Sequence, residues 1–293
     1  MLRSLFSGIS GLHVNQTMLD VTGNNIANAN TIGFKASTTV FQDTLSQMLS
    51  GATGDSAIRG GINPMQVGLG VQLAAVSTDF GQGSAQQTGR STDLMIQGDG
   101  FFVVENSTEQ LYTRAGSFGF DQSGTLVTPT GNRVMGYSMD QIDPATGLPV
   151  AGATLSPVTL DTTNAVPPVP ASDPPVELVS YNIGPDGRVR GIFDDGIQRD
   201  LCQLAVANFT NPGGLEEAGG STWRTSANSG TADIGVATEG GRGTLVSGAL
   251  EMSNVDLAGE FTNLILAQRG FQASSRVITT SDQVLEELVN IKR

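Results

Sequence analysis

The sequence predicts an α+β protein. Helices at the two ends of the chain pair as a coiled-coil-like domain, and a mainly-β central domain, built from two discontinuous segments, lies between them. Three observations carry this reading. Apolar residues recur every seven positions at both termini, strand-like runs broken by glycine turns fill the middle, and a proline-rich stretch divides that middle in two.

At the N-terminal end Leu5, Leu12, Leu19 and Ile26 fall at intervals of seven. Leu2 and Ile9 occupy the alternate position, which turns polar or small at Gln16 and Gly23. Near the C-terminus Leu250, Leu257, Leu264, Phe271, Ile278 and Leu285 repeat in the same way. Phe261 and Val289 lie on the companion seam, with Gln268, Ser275 and Asp282 between them. A seven-residue apolar repeat is the coiled-coil pattern. Two ordinary amphipathic helices on a globular core would fit the periodicity as well. The position of the helices at opposite ends, with β sequence between, favours assembly elements. Each stripe is narrow, so the pair is expected to order fully against copies of itself.

Residues 31–70 read as a connector. It opens on Thr31-Ile32-Gly33-Phe34-Lys35, offers one or two helical turns over Val40 to Leu49, and loosens through Gly51 to Gly54, Gly60-Gly61 and Pro64. From Val71 the pattern is that of strands. Val71 to Val76 is one, and Asp93 to Gln97 and Phe101 to Val104 flank Gly98-Asp99-Gly100 as a hairpin. Val176 to Ile183 and Val189 to Phe193 flank a turn at Gly184 to Gly187, and Leu201 to Phe209 reads as a long strand. Residues 143–175 hold Pro144, Pro149, Pro157, Pro167, Pro168, Pro170, Pro174 and Pro175, so they read as a surface insertion, since proline cannot donate to a ladder. The expected organisation is therefore 1–30 with 249–293 as the helical domain, 31–70 as connector, and 71–142 with 176–248 as the β domain.

Composition narrows the function. There are 15 Lys+Arg against 28 Asp+Glu, a net charge of −13, which argues against nucleic-acid binding. The 38 glycines and only 15% charged residues give a turn-rich, weakly charged surface suited to association. One cysteine, Cys202, and one histidine, His13, leave no intramolecular disulfide and no Cys/His zinc site. No apolar run approaches the ~20 residues of a membrane span. The start, Met1 to Phe6, imitates a signal peptide, but Gly8, Ser10, Gly11 and His13 interrupt it and no cleavage site follows. Gly98-Asp99-Gly100 and Gly68-Leu69-Gly70 read as turns rather than phosphate cradles. Asp194-Asp195 reads as a turn, Cys202 as a core residue, and Trp223 as packing in a Gly/Ser-rich loop. No enzyme site, cofactor site or metal site emerges.

One resemblance is specific. Leu19 through Lys35, with Asn24, Asn25, Asn28, Gly33 and Phe34, resembles the N-terminal motif of the bacterial flagellar rod and hook proteins. Ser253 to Leu257 through Gln272, with Gln268 and Arg269, is similar to that family's C-terminal motif, and Thr279 to Asp282 with Leu285 extends it. Gly89-Arg90, Asp93-Leu94, Gly98 to Phe102, and Ala207 to Leu215 resemble its internal motifs. Within the family the hook members are most similar, in the short form of Gram-positive bacteria, and the distal rod members come next. The family's larger hook members carry an outer domain where this chain has only the proline-rich stretch.

The resemblance implies a helical homopolymer. Leu5, Ile9, Leu12, Leu19, Ile26, Leu257, Phe261, Leu264, Phe271, Ile278 and Leu285 would pack subunits into an inner tube around an export channel, with β domains outside. Such a polymer is a flexible universal joint passing motor torque to the filament. Its partners would be itself, the distal rod, the hook cap, the hook–filament junction proteins and the flagellar type III export apparatus, which needs no cleaved signal. It would lie outside the cell, with neither nucleic acid nor membrane insertion. Polar seam positions, Gln16, Gln268, Ser275 and Asp282, would keep one register from being too deep. The remote alternative is a secreted β-rich binding module.

Overall fold

The computed structural model describes residues 2–55, 60–106, 108–142, 149, 153–160, 178–194 and 196–291. The chain divides into two compact units. One comprises 1–29, 36–79 and 255–293, the other 30–35 and 80–254.

The first unit holds α1 (Leu2–Ala27), β1 (Ser37–Asp43), β2 (Ser46–Ser50), β3 (Met65–Gly68), β4 (Val71–Thr78) and, from the far end of the chain, a second helix, α2 (Leu257–Ile291). Strands replace the expected connector. β1 pairs antiparallel with β4, Ser37 opposite Thr78, with a bulge between Val40 and Phe41. β2 pairs with β3 in a short ribbon. The helical turns expected at Val40 to Leu49 do not form. Apolar residues at 40, 41, 45, 48 and 49 suit a helix face and a strand pair alike, and pairing with distant partners decides it. Val71 to Val76 is a strand as expected, but its partner is β1, so it lies in the unit of the helices rather than in the β unit. Likewise Leu250 falls in a strand, and α2 begins at Leu257.

The second unit holds β5 (Ala85–Gln87), β6 (Leu94–Gln97), β7 (Phe101–Glu105), β8 (Gln110–Thr113), β9 (Gly119–Phe120), β10 (Leu126–Val127) and β11 (Arg133–Ser138). It continues through β12 (Ser156–Pro157), β13 (Leu178–Ile183), β14 (Arg188–Phe193), β15 (Gln198–Asn208) and β16 (Glu216–Gly219). It closes with β17 (Thr222–Arg224), β18 (Asp233–Val236), β19 (Thr244–Ser247) and β20 (Ala249–Glu251). The main sheet runs β13-β14-β15-β11-β7-β8-β17-β16, all antiparallel.

Its centre is buried on both faces. Phe102 and Val104 of β7 join one core with Leu204 and Val206 of β15, while Phe101 and Val103 join another with Ala205 and Ala207. That is why these strands are unbroken apolar runs rather than alternating ones. Trp223 is in β17, not a loop, and meets Phe80 and Phe101 edge-on at 5.7 Å each.

Two further expectations change. The turn at Gly98 to Gly100 forms, but it is a corner and not a hairpin. β6 pairs with β19 while β7 pairs with β8, β11 and β15. Gly98 and Gly100, at φ +104° and +132°, permit the corner, and a Cβ on Gly100 would meet Val206 at 2.6 Å. The proline-rich stretch is also not wholly a surface insertion. Pro157 lies in β12 against β11, and Val158 and Leu160 enter the core; Val158 donates its N–H to Val134 O and accepts from Leu126 N. A two-residue edge strand tolerates the missing donor. Residues 161–175 lie outside the described residues. No described helix is long and apolar enough to cross a membrane.

Candidate assembly interface

The helices α1 and α2 run antiparallel. Ser4 lies against Ser281 (Oγ to Oγ 3.4 Å), Gly8 against Ile278, Gly11 against Ser274 and Asn15 against Gly270. A Cβ on Gly8 would stand 3.2 Å from Ile278 Cγ1, one on Gly11 3.0 Å from Ser274 Oγ, and one on Gly270 on the Asn15 amide. Asn15 is fixed in turn, donating Nδ2–H to Gly11 O at 2.7 Å.

Small residues therefore fill the companion seam within one chain, and Ile9 and Phe261, expected to pack between subunits, lie outside that seam. Gly8, Val14, Thr22 and Ala267 are buried, whereas Ile9, Gln16, Gly23, Phe261, Gln268, Asp282 and Val289 are exposed. The primary stripe does turn inward. Leu5, Leu12, Leu19, Ile26, Leu264, Phe271, Ile278 and Leu285 are half-buried, as is Ser275, and Leu257 is exposed. Close approach over glycine and serine leaves no room for a second row of large side chains.

Those large side chains point outward. Phe6 is 67% exposed, Phe261 52%, Ile265 55%, Leu266 60% and Val289 68%. On α2 Leu266, Val284 and Leu288 form an exposed stripe, roughly 100° around the helix from Leu264, Phe271 and Ile278 at 3.6 residues per turn, while Val277, also partly exposed, borders Gly8 of α1. Phe261 and Ile265 flank the seam on its other side. Apolar side chains thus line both outward flanks of α2. A second exposed apolar set, Leu45, Met48, Leu49, Met65 and Val67, lies on and beside the β2–β3 ribbon.

The motif residues sit where α1 ends. Asn25 is buried and clamps Ser37 at the start of β1, donating Nδ2–H to Ser37 O (2.8 Å) and accepting from Ser37 N (3.1 Å). Asn28 donates to Asn24 O and Oδ1 at 3.0 Å, closing the helix end. Gly33, at φ +68°, lies on the Arg114–Ala115 peptide, where any Cβ would collide. Phe34 is half-buried, while Gln268 and Arg269 are exposed; Arg269 reaches Gln272 Oε1 at 3.4 Å.

Three buried charges of the second unit carry no signal of their pairing in the sequence. Lys35 Nζ is 2.7 Å from Glu251 Oε1, with neither side chain exposed, and Arg114 NH1 is 3.4 Å from Glu251 Oε2. Lys35 was visible within the N-terminal motif, but no local spacing links it to a carboxylate 216 residues away.

The described residues of the second unit also form a cleft. This cleft of about 440 Å³ between Phe120–Gly124 and Leu178–Tyr181 contains one carboxylate, Asp121. It accepts from the Ser123 hydroxyl and from the Ser123 and Thr125 N–H groups, and the hydroxyl bond foremost holds its carboxyl below the usual range. No group of three or more potential metal ligands occurs among the described residues. His13 is exposed on α1, Asp194 is exposed, and Asp195 lies outside the described residues.

Cys202 is a core residue of β15, its thiol pushed up to about 12 by burial. The folded chain will therefore resist a thiol reagent at pH 8 and react only on unfolding, which a timed labelling assay with and without urea reads directly. The pH dependence has a definite sign. A thiol held protonated above its unfolded value contributes fully below about pH 9, and that contribution is lost as pH rises towards 12.

Comparison with known proteins agrees with this geometry. Residues 5–35 match the family described as flagella basal body rod protein, residues 95–191 the flagellar hook protein FlgE/F/G D1 domain, and residues 246–291 the flagellar basal body rod FlgEFG protein C-terminal. The chain is 43% identical to the flagellar basal-body rod protein FlgG of Bacillus subtilis over 294 positions, covering all of both chains. It is 30% identical to the flagellar hook protein FlgE of Borreliella burgdorferi over 441 positions and 32% identical to that organism's basal-body rod protein FlgG over 299, again covering all of each. That is about 132 identical positions (30% of 441) against about 96 (32% of 299).

Proposed function

The chain belongs to the family of bacterial flagellar rod and hook proteins, and we propose that it is the subunit of the hook, a tubular universal joint between rod and filament. The hook reading is supported by the comparison within Borreliella burgdorferi, whose hook protein shares more identical positions with this chain, over a longer alignment, than its rod protein does. A distal rod subunit is the second reading. The relative from Bacillus subtilis favours it, being both named a rod protein and collinear with this chain from end to end.

The proposed mechanism starts from the helix pair. Glycine and serine bring α1 and α2 together within one chain, and the displaced apolar side chains meet those of neighbouring copies. Copies so joined form the inner tube around an export channel, and the β units form its outer layer. The subunit is exported through the flagellar type III apparatus without a cleaved signal and assembles outside the cell between the distal rod and the junction proteins, beneath the hook cap. Its role is structural: the site supplies packing surface rather than a reacting group.

Deleting the gene in its host and imaging cells and purified basal bodies by electron microscopy tests this. Complete rods lacking hooks and filaments are the expected result. Rods cut short at their distal end would move the protein to the rod, and normal flagella on motile cells would overturn both readings.

A further inference from the structure

The chain passes between its two units after residues 29, 35, 79 and 254. Three stretches of the second unit adjoin those passages: 30–35, 80–84 and 249–254. All three are gathered on one residue. Glu251 Oε1 accepts from Lys35 Nζ at 2.7 Å and from Gly83 N at 3.0 Å, Oε2 faces Arg114 NH1 at 3.4 Å, and the Glu251 carbonyl accepts from Gly33 N at 2.8 Å. Lys35 Nζ also donates to Gly81 O, as does Asn254 Nδ2, and Met252 N donates to Ser84 O. Arg114 is itself buried, its guanidinium over the Phe101 ring at 5.2 Å and its Nε without a partner.

We propose that Glu251 is a completion latch: segments 30–35 and 80–84 lock into the second unit only when the strand carrying Glu251 arrives. The charge arithmetic gives the reason. With Glu251 absent, Lys35 and Arg114 would be two buried cations without an anion, and an uncompensated buried charge is strongly unfavourable. Solvated, the same groups cost nothing, so the segments stay out. Lys35 precedes Glu251 by 216 residues. A chain made from its N-terminus therefore holds its N-terminal motif open until nearly all of it is available. The two large cores contain none of these three residues and can form beforehand. The proposal is independent of whether the protein serves hook or rod.

Hydrogen exchange on the full-length chain tests it. In Glu251→Gln the amides of Gly33, Gly83 and Met252 should exchange on the order of 100-fold faster or more, while amides of β7 and β15 keep their rates. Lys35→Met leaves Glu251 paired with Arg114 and should spare Gly83 and Met252. Glu251→Asp, which keeps the charge on a shorter side chain, should fall between wild type and Glu251→Gln. Pulse labelling during refolding of the wild-type chain should show Gly33 and Gly83 protected together with Met252, after β7 and β15. Gly33 protected ahead of Met252 would overturn the latch. So would uniform acceleration across β7 and β15, or failure of Glu251→Gln to fold at all, since either makes the cluster a general determinant of the unit.

Discussion

Replacing Gly116 with valine should unfold the second unit, lowering its stability by more than about 4 kcal/mol, the range reserved for substitutions the structure cannot relax around. A Cβ at this position would land on the carbonyl oxygen of Leu94 and stand 2.7 Å from its carbonyl carbon and 3.3 Å from Phe102 Cε2. Neither neighbour can give way. Leu94 is fully buried, its N–H is bonded to Gly116 O at 2.9 Å, and its strand is held by β19 through Leu94 opposite Ser247. Phe102 is fully buried and fixed edge-on to Phe118 at 5.1 Å. Backbone meets backbone, so no rotamer change relieves the collision. Gly119→Ala is the control, because nothing lies within 4 Å of its Cβ; it should stay within about 0.5 kcal/mol of wild type. Urea unfolding followed by the fluorescence of Trp223, the single tryptophan, separates the two. Equal midpoints for Gly116→Val and wild type would refute the geometry.

Gly116 also marks the limit of what the sequence alone displays. Elements with a strong local signal were legible: the apolar runs Phe101 to Val104 and Leu201 to Phe209, the turn at Gly184 to Gly187, and the two terminal helices. Their signal is local, because each strand or helix announces itself by its own composition and period. Pairing partners were not legible. β6 and β7 adjoin in sequence and read as a hairpin, yet a glycine on each side of Asp99 lets the chain turn a corner and gives β6 to β19. β1 is polar and bulged, and only β4 makes it a strand. The helix seam was half legible. The period identified Leu264, Phe271 and Ile278, but apolar character was taken to mark the companion row, whereas close packing selects its opposite, Gly8, Gly11, Ala267 and Gly270. The same preference put Glu251 out of view, since a lone glutamate at the end of a strand looks solvated until Lys35 and Arg114 are brought to it.

That inversion of the seam leads to the second large effect. Leu266→Lys with Val284→Lys should abolish polymerisation while leaving the monomer's helix content and β fold intact. Both side chains are exposed in the single chain, 60% and 43%, and neither lies on the row that meets α1. Lysine is as good a helix former as leucine and better than valine, so α2 loses no intrinsic stability. What is lost is burial between copies. At roughly 1.5–3 kcal/mol per apolar side chain, the pair removes about 3–6 kcal/mol from each subunit's contacts. With tenfold per 1.4 kcal/mol, the critical concentration should rise on the order of 10²- to 10⁴-fold. Leu264→Asp supplies the contrast. Leu264 is half-buried in the seam, so its charge should loosen α1 from α2 within the chain and block assembly as a consequence. Light scattering of purified subunits against concentration gives the first quantity, and far-UV circular dichroism of dilute monomer gives the second. Should the double lysine variant polymerise at the wild-type concentration, the outward stripe is not the surface that joins copies. Should it instead lose helix content as Leu264→Asp does, the two rows are not separate, and the division of α2 into an inner face of small residues and an outer face of large ones fails with them.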